Sequence, residues 1–147
     1  MNAQGKSNIL EAIYFLSAFS SFRNSRQEDM VRKGADFFFL EGEFLRQSGA
    51  HQIKAAFALN KKRLLKLDGN QKRKIGDMIG HLNAVIFSPE DLSLVKGNPQ
   101  GRRKFLDGEI IQIAPAYFYY FQAYQKALSQ RNTLLKQIRD RSKDQEL

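Results

Sequence analysis

From Ser7 to roughly Phe19 the chain is apolar on nearly every side, with Ile9, Leu10, Ala12, Ile13, Phe15 and Leu16 leaving little polar surface. That pattern predicts a buried helix. Polar residues take over from Ser20 to Glu28, Arg23 and Arg26 among them, and predict a loop. Three strands are expected next. Asp36–Phe44 is rich in Phe. In Gln52–Leu59, Ile53, Ala55, Phe57 and Leu59 alternate with polar or small residues. Arg63–Leu67 ends at Asp68-Gly69, a dipeptide suited to the two positive-φ positions of a type I′ turn. Together these predict a β-meander.

Beyond the meander the period changes. Ile75, Met78, Ile79 and Leu82 sit at helical spacing and predict a short helix, and Ala84-Val85-Ile86-Phe87 reads as a buried strand. Ser88-Pro89-Glu90-Asp91 is a helix start: a capping Ser, a Pro at the first helical position, and an acid that complements the helix N-terminus. Asn98-Pro99 repeats that grammar before Arg102–Ile113. Pro115 to about Arg141 predicts one long helix. Its residues Tyr117, Phe121, Tyr124, Leu128, Arg131, Leu135 and Ile138 recur by fours and threes, a heptad seam with one basic interruption. The seam fits a helix packed lengthwise on a partner helix. It also fits an ordinary amphipathic core helix.

Composition narrows the classes. Apolar residues make up 42% of 147 residues, enough for one domain with a core. There are no cysteines, which excludes disulfides, Cys-ligated zinc and thiol nucleophiles, and only two histidines. The N-terminus has no apolar signal core, and no apolar stretch is long enough to span a bilayer, so no membrane is expected and the protein is expected to be cytoplasmic. The net charge of +9 favours polyanionic partners such as nucleic acid or nucleotides.

The first eight residues carry the most chemistry. Gly5-Lys6-Ser7 supplies the last three positions of the phosphate-binding pattern G-x-x-x-x-G-K-[ST], and the apolar helix begins where that pattern requires. Backbone N–H groups at such a helix start cradle phosphate oxygens. Gly5 allows close backbone approach, Lys6 neutralises outer phosphates, and Ser7 offers its hydroxyl to Mg²⁺. The nucleotide-contacting set is therefore Asn2, Ala3, Gln4, Gly5, Lys6, Ser7 and Asn8, with ATP and Mg²⁺ as cofactors and Ser7 as the metal contact. The first Gly of the pattern would precede Met1.

Three blocks extend that reading to a family resemblance. Asn2-Ala3-Gln4-Gly5-Lys6-Ser7-Asn8-Ile9-Leu10-Glu11-Ala12-Ile13-Tyr14-Phe15-Leu16 resembles the phosphate-binding loop and first helix of the RecF family. Gly80-His81-Leu82-Asn83, then Phe87-Ser88-Pro89-Glu90-Asp91-Leu92, Val95-Lys96-Gly97 and Arg102-Arg103-Lys104-Phe105-Leu106-Asp107, is similar to a second signature of that family. Pro115-Ala116-Tyr117 with Gln130-Arg131-Asn132-Thr133-Leu134-Leu135-Lys136 resembles the helix entering its second lobe. The resemblance implies an α/β fold: a partial P-loop, ABC-type ATPase head related to SMC heads, with 1–114 as part of the ATPase lobe and 115–147 as the helix leading toward a second lobe. It also implies recombinational repair, ATP-dependent dimerisation around single-stranded or duplex DNA, recombinase loading at gapped DNA, and RecO and RecR as partners. The chain is expected to begin inside the phosphate-binding loop and to end before the rest of the ATPase site. No acidic pair convincingly plays the Walker B part. Ser88–Asp91 resembles the region where related heads place a Q-loop. Phe22 stands where family members often carry His.

The basic residues supply the remaining candidates. Arg23 and Arg26 lie on a loop that approaches phosphates or DNA in related heads. Lys61-Lys62-Arg63 and Lys72-Arg73-Lys74 flank the Asp68-Gly69 hairpin and suit a DNA backbone. Arg102-Arg103-Lys104 is a third cluster. Each is also an ordinary solvated surface. Phe37, Phe38 and Phe39 favour core packing over base stacking, and His81 favours a structural role. Two functions stay open: a nucleotide- and DNA-binding part of a repair protein, and a nonenzymatic basic nucleic-acid-binding module.

Overall fold

The computed structural model describes residues 5–23, 25–87 and 93–144. The chain runs through α1 (Lys6–Ala18), a 3-10 turn (Glu28–Met30), β1 (Phe37–Arg46), β2 (Gly49–Ala58), β3 (Arg63–Leu67), β4 (Asn70–Lys72), a second 3-10 turn (Ile75–Asp77), α2 (Ser93–Lys96), α3 (Pro99–Ile113) and α4 (Pro115–Asp144). The four strands form one antiparallel sheet in the order β1-β2-β3-β4, the expected meander. Asp68 and Gly69 have φ of 49° and 77°, both positive as a type I′ turn requires.

Strand alternation decides the core. The register Phe38↔Phe57, Leu40↔Ala55 and Gly42↔Ile53 continues as Ala55↔Leu65 and Ile53↔Leu67, placing these side chains on one face. α1 covers part of that face with Phe15, Leu16 and Phe19, and Met78 and Ile79 complete the buried cluster. Phe15 stands edge-on to Phe38 and Phe57 at centroid distances of 5.3 and 5.4 Å, while those two stack at 5.5 Å. Such ring pairs add about 0.5–1.5 kcal/mol each beyond area burial. On the other sheet face Phe37 and Phe39 stay exposed, beside a Lys54–Glu41 ion pair at 2.8 Å. The Phe triplet is therefore split: only Phe38 joins the core.

Helix boundaries follow local grammar. The Asn98 side chain accepts a hydrogen bond from the Gly101 amide at 2.9 Å, and Pro99 occupies the first turn of α3, as expected. α4 starts at Pro115 and runs three residues past the expected Arg141. It docks on α3 and on the Ile75–Asp77 turn. That docking needs close approach: a Cβ at Gly80 would lie 2.6 Å from Pro115 Cγ, and Gly80 has φ of 84°.

Four expectations change. α1 is a helix, yet it is not buried all round: Ile9, Leu10 and Ile13 are 63%, 53% and 48% exposed. The sheet covers only one side of it, and α3 touches it over a limited stretch. The helix expected through Ile75–Leu82 shrinks to a 3-10 turn, because Gly80 takes a left-handed conformation that ends any regular run. The strand expected at Ala84–Phe87 is irregular, with Val85 and Phe87 87% and 84% exposed. Among the described residues no strand pairs with it; the Ala84 amide instead donates to Gln112 Oε1 at 3.0 Å. The α4 seam is only partly covered, since Tyr124, Leu135 and Ile138 are exposed. The helix start and Q-loop resemblance at Ser88–Asp91 lie outside the described residues.

Candidate nucleotide site and nucleic-acid surface

Gly5 is the cap residue before α1, and its φ of 78° and ψ of 4° place it in the left-handed region. The Gly5 carbonyl accepts from the amides of Asn8 and Ile9 at 3.0 and 3.1 Å. This helix start has no side-chain cap and no acid in its first turn, so the positive end of the helix dipole is uncompensated locally. Lys6, Ser7 and Asn8 are exposed there, and among the described residues nothing lies within 4 Å of where a Cβ on Gly5 would stand. These residues fit a phosphate: backbone donors, a cation and a hydroxyl on one helical turn. Asn2, Ala3 and Gln4 lie outside the described residues.

The basic candidates separate into two groups. Arg23 ion-pairs with Glu11 of α1 at 3.3 Å and lies 5.6 Å from the Phe22 ring centroid, so its charge is compensated locally. The Glu11 side chain also accepts from Ser21. Arg26 donates its backbone N–H to Asp29 at 3.2 Å, and the residue is exposed.

The hairpin residues form the stronger group. Leu65↔Lys72 pairing carries Arg63 toward Arg73, and Arg63 Nη2 donates to the Arg73 carbonyl at 3.2 Å. Lys61, Lys62, Arg63, Lys72, Arg73 and Lys74 thus gather around the open end of the β3–β4 hairpin, away from Asp68-Gly69. Lys74 lies 5.9 Å from the Tyr119 ring centroid. A cavity of about 290 Å³ lies between the Glu28–Met30 turn and this hairpin end, lined in part by Gln27, Glu28, Lys61 and Arg63. The Arg26 loop therefore leads to the same side of the molecule as the hairpin cluster. Arg102 is occupied otherwise, donating to the Gly97 carbonyl at 3.0 Å.

One constellation has no signal in the linear sequence. His51 Nδ1 is 2.8 Å from Asp68 Oδ2, and its Nε2 is 2.7 Å from Ser48 Oγ. The Gln52 amide donates to Asp68 Oδ1 at 2.8 Å. That amide and the His51 bond hold the Asp68 carboxyl below its usual range. The order Ser-His-Asp matches a nucleophilic triad, but these side chains join two exposed turns, and His51 stacks on Phe44 at 5.7 Å. The arrangement ties the β1–β2 turn to the β3–β4 turn. Only the folded register brings Ser48, His51 and Asp68 together.

No protein-family model matches the chain. Curated relatives do. The DNA replication and repair protein RecF of Symbiobacterium thermophilum is 45% identical over 136 residues, covering 92% of this chain and 36% of that protein. The Bacillus subtilis RecF is 44% identical over 140 residues, covering 95% and 38%. A solved structure described as the recombination mediator RecF–ATP in the RecFOR pathway superposes with a TM-score of 0.87 at 40% identity, over 94% of this chain and 37% of that one. The fold is thus mixed α/β, an antiparallel meander with helices, of the kind found in a recombination mediator. The chain belongs to the RecF family and spans little more than a third of the length of these relatives. Among the described residues, no helix is long and apolar enough to cross a membrane.

Proposed function

We propose that this chain is the nucleotide- and DNA-contacting first part of a RecF-type head. The observation that carries the reading is the uncapped start of α1, with Gly5 left-handed and Lys6-Ser7 following, within a fold that superposes on an ATP-bearing relative. Residues 1–114 form part of the P-loop ATPase lobe, and 115–147 lead toward a second lobe. Gly5, Lys6, Ser7 and Asn8, with Asn2, Ala3 and Gln4, hold the triphosphate of ATP. Ser7 contributes to Mg²⁺, which when bound supplies charge neutralisation between phosphates. In the full protein this head dimerises on ATP around DNA and works with RecO and RecR in loading recombinase at gapped DNA. The chain alone binds nucleotide without turning it over, because hydrolysis also needs a metal-holding acid and a water-orienting carboxylate.

A fluorescent ATP analogue tests the site directly. Binding should require Mg²⁺ and fall at least tenfold in Lys6→Ala, and no inorganic phosphate should accumulate. Equal affinity in Lys6→Ala would sink the nucleotide assignment.

The second reading, a basic nucleic-acid-binding module without nucleotide binding, rests on a separate observation. The hairpin cluster is built by β3 and β4 and owes nothing to the start of α1. DNA affinity that ignores ATP would favour it. In either case the hairpin should dominate. Each phosphate neutralised contributes about −0.9 to the slope of log K against log salt on duplex DNA. Lys62→Ala with Arg73→Ala should flatten that slope by about one to two units. Arg23→Ala with Arg26→Ala should flatten it less, since Arg23 already has Glu11.

A further inference from the structure

Strand alternation divides the Phe triplet at the start of β1. Phe38 joins the core, while Phe37 and Phe39 face the other way, 57% and 47% exposed. The pairings Phe37↔Ala58, Phe39↔Ala56 and Ala56↔Leu64 carry that outer face across three strands. Two rings thus stand about 7 Å apart along β1, beside a floor of small side chains, Ala56 and Ala58. α1, Met78 and Ile79 pack on the opposite face of the sheet.

Charge is divided along the same face. The acids of β1 lie past the rings: Glu41 pairs with Lys54 at 2.8 Å, and Gln52 donates to Glu41 and Glu43 at 2.9 and 3.3 Å. Lys66 stands opposite Lys54. The end that carries the rings adjoins the unpaired cations. The Ala58 amide donates to the Lys62 carbonyl at 2.9 Å, which sets Lys62 opposite Ala58, and Arg63 follows beside Arg73. Two acids lie near that end. Alternation assigns Asp36 to the Phe38 face, and Glu28 lines the cavity with Phe57 of that same inner face. Exposed rings bordered by cations match a polymer that alternates flat bases with phosphates. In a duplex the base faces are already stacked on one another, so such a surface selects single strands.

We propose that the Phe37–Phe39 end of the outer sheet face is a stacking platform for single-stranded DNA, with bases laid on the two rings and phosphates on the cations of the hairpin end. The proposal rests on the DNA-binding reading above and adds base contact to it. An apolar protein surface laid over the same rings would cover Lys62 and Arg63 without supplying a counter-charge. Stacking tolerates any sequence, because every base has a π face. The expected preference is therefore for strandedness.

The test uses the full chain and fluorescein-labelled probes of equal length: oligo-dT, a strand of abasic sites with the same phosphates, and a mixed-sequence duplex. By anisotropy, oligo-dT should bind more tightly than the abasic strand. Phe37→Leu with Phe39→Leu should weaken oligo-dT binding by roughly fivefold or more for each ring removed, and leave the abasic and duplex affinities unchanged. Phe39→Tyr keeps a ring and should keep the oligo-dT affinity. Lys62→Ala with Arg73→Ala should weaken all the probes. The abasic strand and Phe39→Tyr keep the question answerable even if the leucine pair lowers the melting temperature. If oligo-dT and the abasic strand bind alike, the platform is overturned while the hairpin reading stands. The same holds if the leucine pair leaves oligo-dT binding unchanged and Lys62→Ala with Arg73→Ala lowers it. If no probe binds, both readings fall. If the leucine pair abolishes association between copies and spares oligo-dT binding, the rings are a contact between copies and the proposal is wrong.

Discussion

The covered face of the meander and the outer half of α4 carry similar apolar side chains and meet opposite fates. Under the sheet, Phe15, Ile53, Leu65 and Met78 are almost completely removed from water. Along α4, residues 129–141 are exposed throughout, including Leu134, Leu135 and Ile138 at 58%, 48% and 63%. Periodicity marks both as faces that gain from a partner. It does not say where the partner is. In the meander the partner is a few turns away in sequence, since α1 and the strands fold onto one another. Along α4, contacts with α3 and the Ile75–Asp77 turn secure the base of the helix and leave the outer seam open.

Substitution separates the two regions most sharply. Phe15→Ala removes the ring at the centre of the Phe38–Phe57 cluster and should cost about 3–5 kcal/mol. Leu135→Ala should stay within about 0.5 kcal/mol, as an exposed change does. Urea denaturation of both variants measures the contrast. Comparable losses would mean that the outer seam of α4 is covered in solution.

Next in size is the joint between the regions. Gly80→Ala places a methyl 2.6 Å from Pro115 Cγ at a position with φ of 84°. Overpacking of that kind costs about 1–3 kcal/mol. The loss should be accompanied by weaker docking of α4, read as faster amide exchange at Ile75–Met78. Unchanged exchange with the same loss of stability would place the strain within the turn alone.

A smaller effect is expected from the seam itself. Tyr124, Leu128 and Leu135 form an apolar stripe that a second copy can cover. Light scattering should show concentration-dependent association, and Tyr124→Glu with Leu135→Glu should reduce it without changing the melting temperature. A monodisperse monomer at high concentration would remove the seam as a docking face.

How much of this was legible in the sequence depends on the range of the forces involved. The meander, the Asp68-Gly69 turn, the Asn98 cap and the long helix are written in local patterns, and the fold reproduces them. The Ala84–Phe87 run misled because four apolar residues satisfy a strand pattern, while a strand also needs a neighbour for its backbone groups. α1 misled in a related way. Its composition records the burial wanted on every side, but the sheet and α3 leave Ile9, Leu10 and Ile13 open. The phosphate-contacting residues from Gly5 to Asn8 were readable, because a helix start and its motif are contiguous. The pairing of Arg23 with Glu11, the gathering of Arg63 with Arg73, and the joining of Ser48, His51 and Asp68 were not, because each depends on register or on packing between elements.

The smallest effect concerns the tethers that hold the base of α4. Tyr119 donates its hydroxyl to Asp77 at 2.8 Å, and Tyr117 donates to Asp107 at 2.7 Å. Each hydrogen bond needs a protonated phenol, and each raises the phenol above its ordinary value, the bond being the main cause and desolvation the next. The sign follows. A phenol whose folded value is raised contributes stability that is complete below the unfolded value near pH 10 and is lost as the medium rises through the folded value. Stability should therefore fall more steeply in strong alkali in the parent than in Tyr117→Phe with Tyr119→Phe, which has no such protons to lose. Both phenols are solvent-accessible, so the effect should be small beside that of Phe15. Of the five tyrosines in the chain, absorbance titration near 295 nm should lose its late-ionising component in the double variant. An identical titration tail would show that the two aspartates do not hold these hydroxyls in solution. The docking of α4 would then rest on the close approach of Pro115 to Gly80 and on Phe118 packed against the core.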